Sequence, residues 1–249
     1  MAEMSSLPYD SLNREMKFLE MGYLPELMSL EAIIAESLPS REIFLLHDQD
    51  FFRMSVCKPN SAIGVFSGED LIAYSILRIP CCFSQPMPDN LGVEIYLPPE
   101  DLIKVAHIQA IAVHPDHRGN SLQRKLARAH LALAEDLGYH HILCTVSPKN
   151  PKSLSNMLSC GFRIEALRPK FLGWFRFILH KDLKKFHLSS ARDADGRVEQ
   201  IAISISDLEG QLILLESGFK GFKIEAQSGI IKVLYEKSRS IDENDPIPD

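Results

Sequence analysis

The sequence lacks the long hydrophobic runs that mark membrane and secreted proteins. No apolar stretch reaches the roughly 18 residues that a membrane-spanning helix needs. The first residues, MAEMSSLPYDS, contain no basic segment followed by an apolar core, which a secretory signal would require. We therefore expect a soluble, cytoplasmic protein that has no membrane partner.

Basic charge is also scarce. Lys and Arg number 27 against 33 Asp and Glu, which gives a formal net charge of -6. A protein that binds a phosphate backbone usually carries a basic patch or stripe, because counterion release supplies most of the affinity. The charge balance therefore argues against a nucleic-acid partner.

Cysteines are few, and their spacing matches no metal or disulfide pattern. The five include no CxxC pair and no Cys/His cluster, and an odd number does not suit a simple disulfide framework. We interpret them as reduced thiols that serve mainly in packing, including the adjacent pair Cys81 and Cys82. No metal site is expected.

The periodicity of apolar residues predicts a mixed α/β domain. Residues 23–38 and 48–57 have helical spacing, and SAIGVF and LIAYSILRI read as a strand hairpin. The proline-rich stretch 80–102 reads as a surface loop. A strand-helix-strand-helix-strand run follows, in the segments 105–113, 122–138, 140–146, 153–161 and 162–167. A further strand is predicted over 174–180.

The polar stretch near residue 188 predicts a boundary between a larger domain, 14–187, and a smaller extension, 188–240. The extension reads strand, helix, strand, strand. Aligning Gly161 with Gly218 brings Asn150 over Asp207, which suggests a partial repeat. We expect this extension to pack against the larger domain, and we expect the tail 241–249 to be disordered.

The stretch IAVHPDHRGNSLQRKL is the most informative motif in the chain. A strand ends at a proline-containing turn, and small residues then open a long helix. The first turn of a helix presents unpaired N–H groups and a partial positive charge, so it favours a bound anion, and Arg118 adds a full charge. The alternative is that Gly119 and Ser121 only form a turn and an N-cap.

Together with the later Asn-x-x-small and Gly-Phe elements, these residues resemble the GCN5-related N-acetyltransferase family. Its pyrophosphate loop reads Arg/Gln-x-x-Gly-x-Gly/Ala after a strand of the type apolar-x-Val-x-Pro. The resemblance covers about residues 14–187 in element order. It implies a twisted mixed sheet flanked by helices, with acetyl-CoA as co-substrate and an amine as acceptor. The residues that it assigns to the cofactor are Ile111, Ala112, Val113, Arg118, Gly119, Asn120, Ser121, Leu122, Gln123, Asn150 and Ser153.

The chain departs from the family pattern at three positions. Ser121 and Gln123 stand where the family has its motif glycines, although main-chain donors survive such changes. Met157 stands where the family has a tyrosine that protonates or positions the departing CoA thiolate. A thioether cannot donate a proton, so this role is empty, moves to a neighbour such as Ser155, or falls to water.

An amine must lose its proton before it can attack a thioester. A lysine-like amine is neutral in only about one molecule in 2,500 at pH 7. On the strand VAHIQAIAV, strict alternation would place His107, Gln109, Ile111 and Val113 on one face. Relatives often carry a carboxylate or a histidine at the position of His107, so His107 and Gln109 are the candidate catalytic pair. A hydrogen-bonded structural histidine is the alternative.

Several alternatives remain open at this stage. The chain is either a direct N-acetyltransferase or a catalytically impaired acyl-CoA-binding module with a regulatory or sensing role. The acceptor is an amine of a small molecule or of a protein, and a homodimer is possible. His114 and His117 suggest solvated turn residues more than a metal, and Cys144 and Cys160 suggest packing more than a covalent acetyl-enzyme.

Overall fold

The computed structural model describes residues 14–80, 85–184 and 198–238. Cys81, Cys82, the expected boundary near residue 188 and the expected disordered tail lie outside the described residues. The strands are β1 Arg14–Phe18, β2 Ala62–Ser67, β3 Asp70–Arg78, β4 Val105–Val113, β5 His141–Val146, β6 Arg163–Lys170, β7 Trp174–Asp182, β8 Val198–Ser204, β9 Lys220–Gln227 and β10 Ile230–Ser238. The helices are α1 Leu24–Ser37, α2 Gln49–Val56, α3 Leu91–Glu94, α4 Pro99–Leu102, α5 Leu122–Asp136, α6 Pro151–Ser159 and α7 Leu208–Glu216.

The described strands form one sheet in the order β1-β2-β3-β4-β5-β7-β6-β9-β10-β8. Neighbouring strands are antiparallel except β4 and β5, which are parallel. Helices α1 and α2 bury Leu27, Leu30 and Phe52 against one face of the sheet. Helix α5 buries Leu122 and Leu126 against the other face. The predicted mixed sheet flanked by helices is thus confirmed.

Local capping explains where several elements begin. The side-chain oxygen of Asn150 accepts from the Ser153 N–H at 3.1 Å, and Pro151 occupies the first helical position. Helix α6 therefore starts two residues before the predicted Ser153, because proline lacks the N–H that the first turn leaves unpaired anyway. Gly138 and Gly161 follow α5 and α6 with positive φ, as their positions predict.

One element was missed and one expectation was wrong. Strand β1 comes before the predicted hairpin and pairs with β2 along its whole length. The stretch 80–102 is also no simple surface loop, since it contains α3 and α4 and buries Met87 and Leu91 against Leu143 and Ile178. Strand β1 was missed because it is short and partly exposed, so its apolar and polar residues alternate only weakly. The helices in 80–102 were missed because each spans only four residues, too few to show a helical period.

The segment 198–238 has the same element order as the segment 141–182. Helices α6 and α7 each span nine residues and begin after a side-chain N-cap, Asn150 in one and Asp207 in the other. Both end at a glycine with φ near 85°, and both are followed by a buried phenylalanine. The two units meet where β6 and β9 pair at Ile164 and Gly221. Phe219, Val233 and Tyr235 belong to one apolar core with Phe162 and Ile164.

Candidate active site

A cleft opens where two parallel strands separate. Strands β4 and β5 pair only over Val105–His107 and His141–Leu143, and beyond this point they diverge. Residues 108–113 line one wall and residues 144–147 the other, and the cleft has a volume of about 790 Å³. Main-chain groups of β4 that face the gap lack a strand partner, so an extended ligand can pair with them.

A bulge in β4 reorients its side chains at the base of the cleft. Ile76 pairs with Ala110 but Leu77 pairs with Ile108, so Gln109 is an extra residue in the ladder. Ile111 and Val113 consequently pack towards α5, whereas His107 lies on the opposite face, beside Leu91. The prediction that His107, Gln109, Ile111 and Val113 share one face was therefore wrong, because a bulge breaks strict alternation.

His107 is buried and engaged away from the cleft. It is 5% exposed, and its Nε2 accepts from the Leu91 N–H at 3.2 Å. The pKa of His107 is lowered to about 3, chiefly by burial and in smaller part by the positive charges of Arg78 and Lys170. It is not among the residues that line the cleft, whereas Gln109 is exposed and does line it. These contacts argue against His107 as the base.

The start of α5 presents main-chain donors to the cleft. Gly119 and Ser121 have φ values of 85° and 60°, and both line the cleft. Among the described residues, the N–H groups of 119–124 have no acceptor, and the first helical bond at this end runs from Lys125 to the Ser121 carbonyl. A left-handed turn before a helix aims successive N–H groups at one point, which suits a phosphate.

The side chains of this turn are held in place. The Arg118 guanidinium donates to the Ser37 hydroxyl at 2.8 Å and to the Val113 carbonyl at 3.4 Å, which ties the turn to the end of α1. Asn120 donates to the His117 carbonyl at 3.0 Å and does not line the cleft. The Ser121 hydroxyl does not cap α5 but accepts from Arg124. Ser121 thus stands at the N-cap position of α5, but its hydroxyl does not form the capping hydrogen bond.

Gln123, which replaces a small residue of the motif, links two helices. Its amide donates to the Ser153 hydroxyl at 2.7 Å, and its carbonyl accepts from Asn156 at 2.8 Å. The bulky side chain is thus bound to α6 instead of being free in the cleft. Gln123, Ser153 and the helix cap Asn150 all line the cleft, so the structure brings together these residues of the two motifs. Asn156, which the sequence did not single out, lines it as well, whereas the predicted Asn120 does not.

Thiols and imidazoles offer little nucleophilic or metal chemistry here. Burial raises the pKa of Cys144 far above the usual range, although this thiol lines the cleft, and burial also raises the pKa of Cys160. The described residues hold no group of three or more His, Cys, Asp or Glu side chains arranged for a metal ion. Met157 is buried in the wall, and exposed Ser155 lies near it.

The charge of the cleft is opposite to that of the chain. No Asp or Glu is among the described residues that line it. Its charged residues are Arg118, Arg124, Lys149, Lys152 and Arg176. Only Arg118 was predicted from the sequence.

The sequence reasoning also missed apolar residues of the cleft lining. They are Ile43, Phe44 and Leu45 in the loop after α1, and Phe171 between β6 and β7. An arginine between Phe175 and Phe177 was an available signal of buried charge.

No helix among the described residues is long and apolar enough to span a bilayer. A comparison with curated protein sequences gives no significant match. Solved structures do match. The chain is 17% identical to Naa20 of Chaetomium thermophilum in complex with a bisubstrate analogue, with 73% of this chain and 93% of that chain covered and a TM-score of 0.53.

Two further structures give similar values. The yncA structure from Salmonella typhimurium, determined with its cofactor acetyl-CoA, is 16% identical, with 69% and 94% of the chains covered and a TM-score of 0.52. The NatC complex bound to Gag peptide and CoA is 13% identical, with 69% and 99% covered and a TM-score of 0.53. At these identities the similarity establishes a shared fold. The family model described as "Acetyltransferase (GNAT) family" matches residues 36–162, about half of the chain. The chain therefore belongs to the GNAT acetyltransferase family and is an acyl-CoA-dependent N-acyltransferase.

Proposed function

We propose that the protein transfers the acetyl group of acetyl-CoA directly to an amine, and that the cleft between β4 and β5 holds the cofactor. The observation that carries the proposal is the meeting of two features at one place. The strands diverge beyond His107 and Leu143, and the unpaired N–H groups of 119–124 lie at the mouth of the gap. An extended thioester with a pyrophosphate needs both.

In this arrangement, the main chain of Ile111, Ala112 and Val113 pairs with the pantetheine arm. The pyrophosphate lies on the turn from Arg118 to Gln123, where main-chain donors and the dipole of α5 stabilise its charge. Asn150 and Ser153 border the opposite side. The cationic residues around the turn offset the phosphate charge, which the acidic surface of the chain would otherwise repel.

The chemistry rests on positioning. No carboxylate lines the described cleft, and Gln109 has no basic atom. The lining imidazole of His117 comes directly before Arg118, at the turn assigned to the pyrophosphate and not at the thioester, so we assign removal of the amine proton to a solvent molecule. Gln109 is placed at the bulge to orient the amine or that water. Cys144 stays a neutral thiol, so the amine attacks the thioester directly and no acetyl-enzyme forms. Ser155 or water protonates the departing thiolate.

The first test is calorimetric titration with acetyl-CoA and with CoA. Micromolar binding, about -8 kcal/mol, is expected. A matched pair of variants then tests the turn. Ser121→Asp places a carboxylate among the donors and should weaken binding by roughly 10- to 100-fold, since it both repels the pyrophosphate and occupies N–H groups. Ser121→Asn has the same shape, tolerates positive φ and can accept from the same N–H groups but carries no charge, so it should bind more tightly than Ser121→Asp, and the difference between the two isolates the repulsion of the pyrophosphate.

Equal binding by both variants would place the pyrophosphate elsewhere. Cofactor binding followed by no release of thiol, across a broad set of amines, would favour the alternative of an acyl-CoA-binding module. Absence of binding at millimolar ligand would refute the proposal.

A further inference from the structure

A buried arginine lines the cleft on a strand that the pyrophosphate turn does not use. Arg176 lies on β7, just beyond the residue pair that joins Val146 of β5 to Phe177. It is 4% exposed, yet it lines the cleft. The guanidinium always carries its charge at neutral pH, and taking that charge out of water costs several kcal/mol unless a partner offsets it.

The described residues do not supply an anionic partner. Its one hydrogen bond is from Nη1 to the Phe175 carbonyl at 3.2 Å. No described carboxylate forms an ion pair with it. Glu42 lies near enough to act on its charge, but that carboxylate forms an ion pair with Lys149 at 2.6 Å. Burial lowers the pKa of Arg176, and Glu42 opposes this effect.

Two aromatic rings fix the guanidinium. Its central carbon lies 5.5 Å from the ring centre of Phe171 and 5.6 Å from that of Trp174. Such cation–π contacts hold the plane of the group, while its remaining N–H donors have no acceptor among the described residues. A planar guanidinium with free donors is matched in shape by a carboxylate.

Apolar side chains and two charged ones lie around Arg176. Glu42 acts on its charge, and Arg168 is its cross-strand partner on β6. Phe171 is 53% exposed, and Ile43, Phe44 and Leu45 of the loop after α1 line the same cleft. The other four basic residues of the cleft lie at the two places proposed for the cofactor: Arg118 and Arg124 are in the turn before α5 and in its first turn, and Lys149 and Lys152 are just before and in the first turn of α6. The proposed phosphate contacts therefore use the other four basic residues and do not involve Arg176.

We infer that the acceptor is a small amine that carries a carboxylate and an apolar side, as a hydrophobic α-amino acid does, and that Arg176 binds its carboxylate. This inference rests on the proposed acetyl transfer. A cleft without carboxylates disfavours cationic acceptors such as polyamines or lysine-rich peptides, because nothing in its described lining offsets their second charge.

The test uses matched acceptors. Leucine, phenylalanine and methionine are compared with their primary amides and with the amines that lack the carboxyl group, by following thiol release from acetyl-CoA. The carboxylates should have the higher kcat/KM. Their preference cannot come from easier deprotonation, since an α-amine beside a neutral carbonyl has the lower pKa, near 7.7–8.0, and is more often neutral.

The variant Arg176→Gln should lower kcat/KM for the carboxylates by roughly 10- to 100-fold and leave the amides almost unchanged, so the ratio between them falls towards one. Arg176→Lys keeps the charge and should retain part of the preference. Calorimetry with acetyl-CoA on each variant separates the two proposals. If Arg176 had only a structural role, Arg176→Gln would lower kcat/KM equally for the carboxylates and for the amides.

Three results would overturn the inference. One is acetylation of amides or simple amines in preference to carboxylates. The second is absence of acetylation of every carboxylate while acetyl-CoA still binds. The third is weaker acetyl-CoA binding by Arg176→Gln, which would assign the guanidinium to the cofactor. Failure of the parent protein to bind acetyl-CoA would instead refute the proposed function itself.

Discussion

Substitutions of His107 test whether this residue acts as a catalytic base or has only a structural role. Even from an α-ammonium with a pKa near 8, proton transfer to an imidazole with a pKa of about 3 is uphill by about 5 units, or roughly 7 kcal/mol, and it is further uphill from a more basic amine. His107→Gln keeps an acceptor near the position of Nε2, so the Leu91 N–H stays paired and the loss of stability should be about 1–2 kcal/mol. His107→Ala leaves that N–H unpaired and creates a cavity, which should cost about 3–5 kcal/mol.

Urea unfolding measures both costs, and steady-state acetyl transfer measures activity. We expect His107→Gln to keep kcat/KM within about 5-fold of the parent at every pH from 6 to 9. A histidine that acted as the base would contribute about 10²- to 10⁴-fold. If His107→Gln is folded and binds acetyl-CoA but is slower by two orders of magnitude or more, the reasoning from burial and hydrogen bonding is refuted.

Three other predictions follow from the same structure. Because solvent deprotonates the amine, log kcat/KM should rise with pH at a slope near one and level off at the pKa of the acceptor, so a plateau reached well below that pKa would indicate a protein base. Burial lowers the pKa of His130 to about 4, below the unfolded value near 6.5, so its contribution to stability is present above pH 6.5 and is lost as the pH falls towards 4. His130→Leu should remove up to about 3 kcal/mol of this acid sensitivity in urea unfolding at pH 7 and pH 4.5, and an unchanged pH dependence would contradict it. Gly221→Ala would bring a Cβ within 2.6 Å of the Ile164 side chain at the pairing of β6 with β9, so it should lower the free energy of unfolding in urea by about 1–3 kcal/mol. The control Gly22→Ala meets no atom within 4 Å and should be nearly neutral, and equal effects of the two variants would contradict the predicted clash.

Much of the fold could be predicted from local signals. The strand VAHIQAIAV was predicted with its observed ends, because apolar alternation and the following proline are local features. The helix after RGNS was predicted from its first residue, since its amphipathic pattern is long. The Asn150 cap and the glycines after α6 and α7 reflect backbone sterics that act within a few residues.

In the candidate site, too, local features could be predicted from the sequence, whereas features that depend on strand pairing could not. The turn from Arg118 to Gln123 could be predicted from sequence because its donors belong to consecutive residues. The face of His107 could not, because the bulge at Gln109 is visible only in the pairing of β3 with β4. The link from Gln123 to Ser153 and Asn156 joins residues 30 and 33 positions apart, so no local pattern records it.

The sequence alone therefore determined the order of the elements over 105–182, the start of α5, and the turn before α5 that leaves main-chain donors unpaired, because each depends on periodicity or on contacts between near neighbours. Tertiary structure decided which strands diverge, which face His107 occupies and that Arg176 reaches the cleft. These outcomes depend on strand register and on side chains that meet across the sheet, and residues far apart in the chain come together only when the whole core is packed.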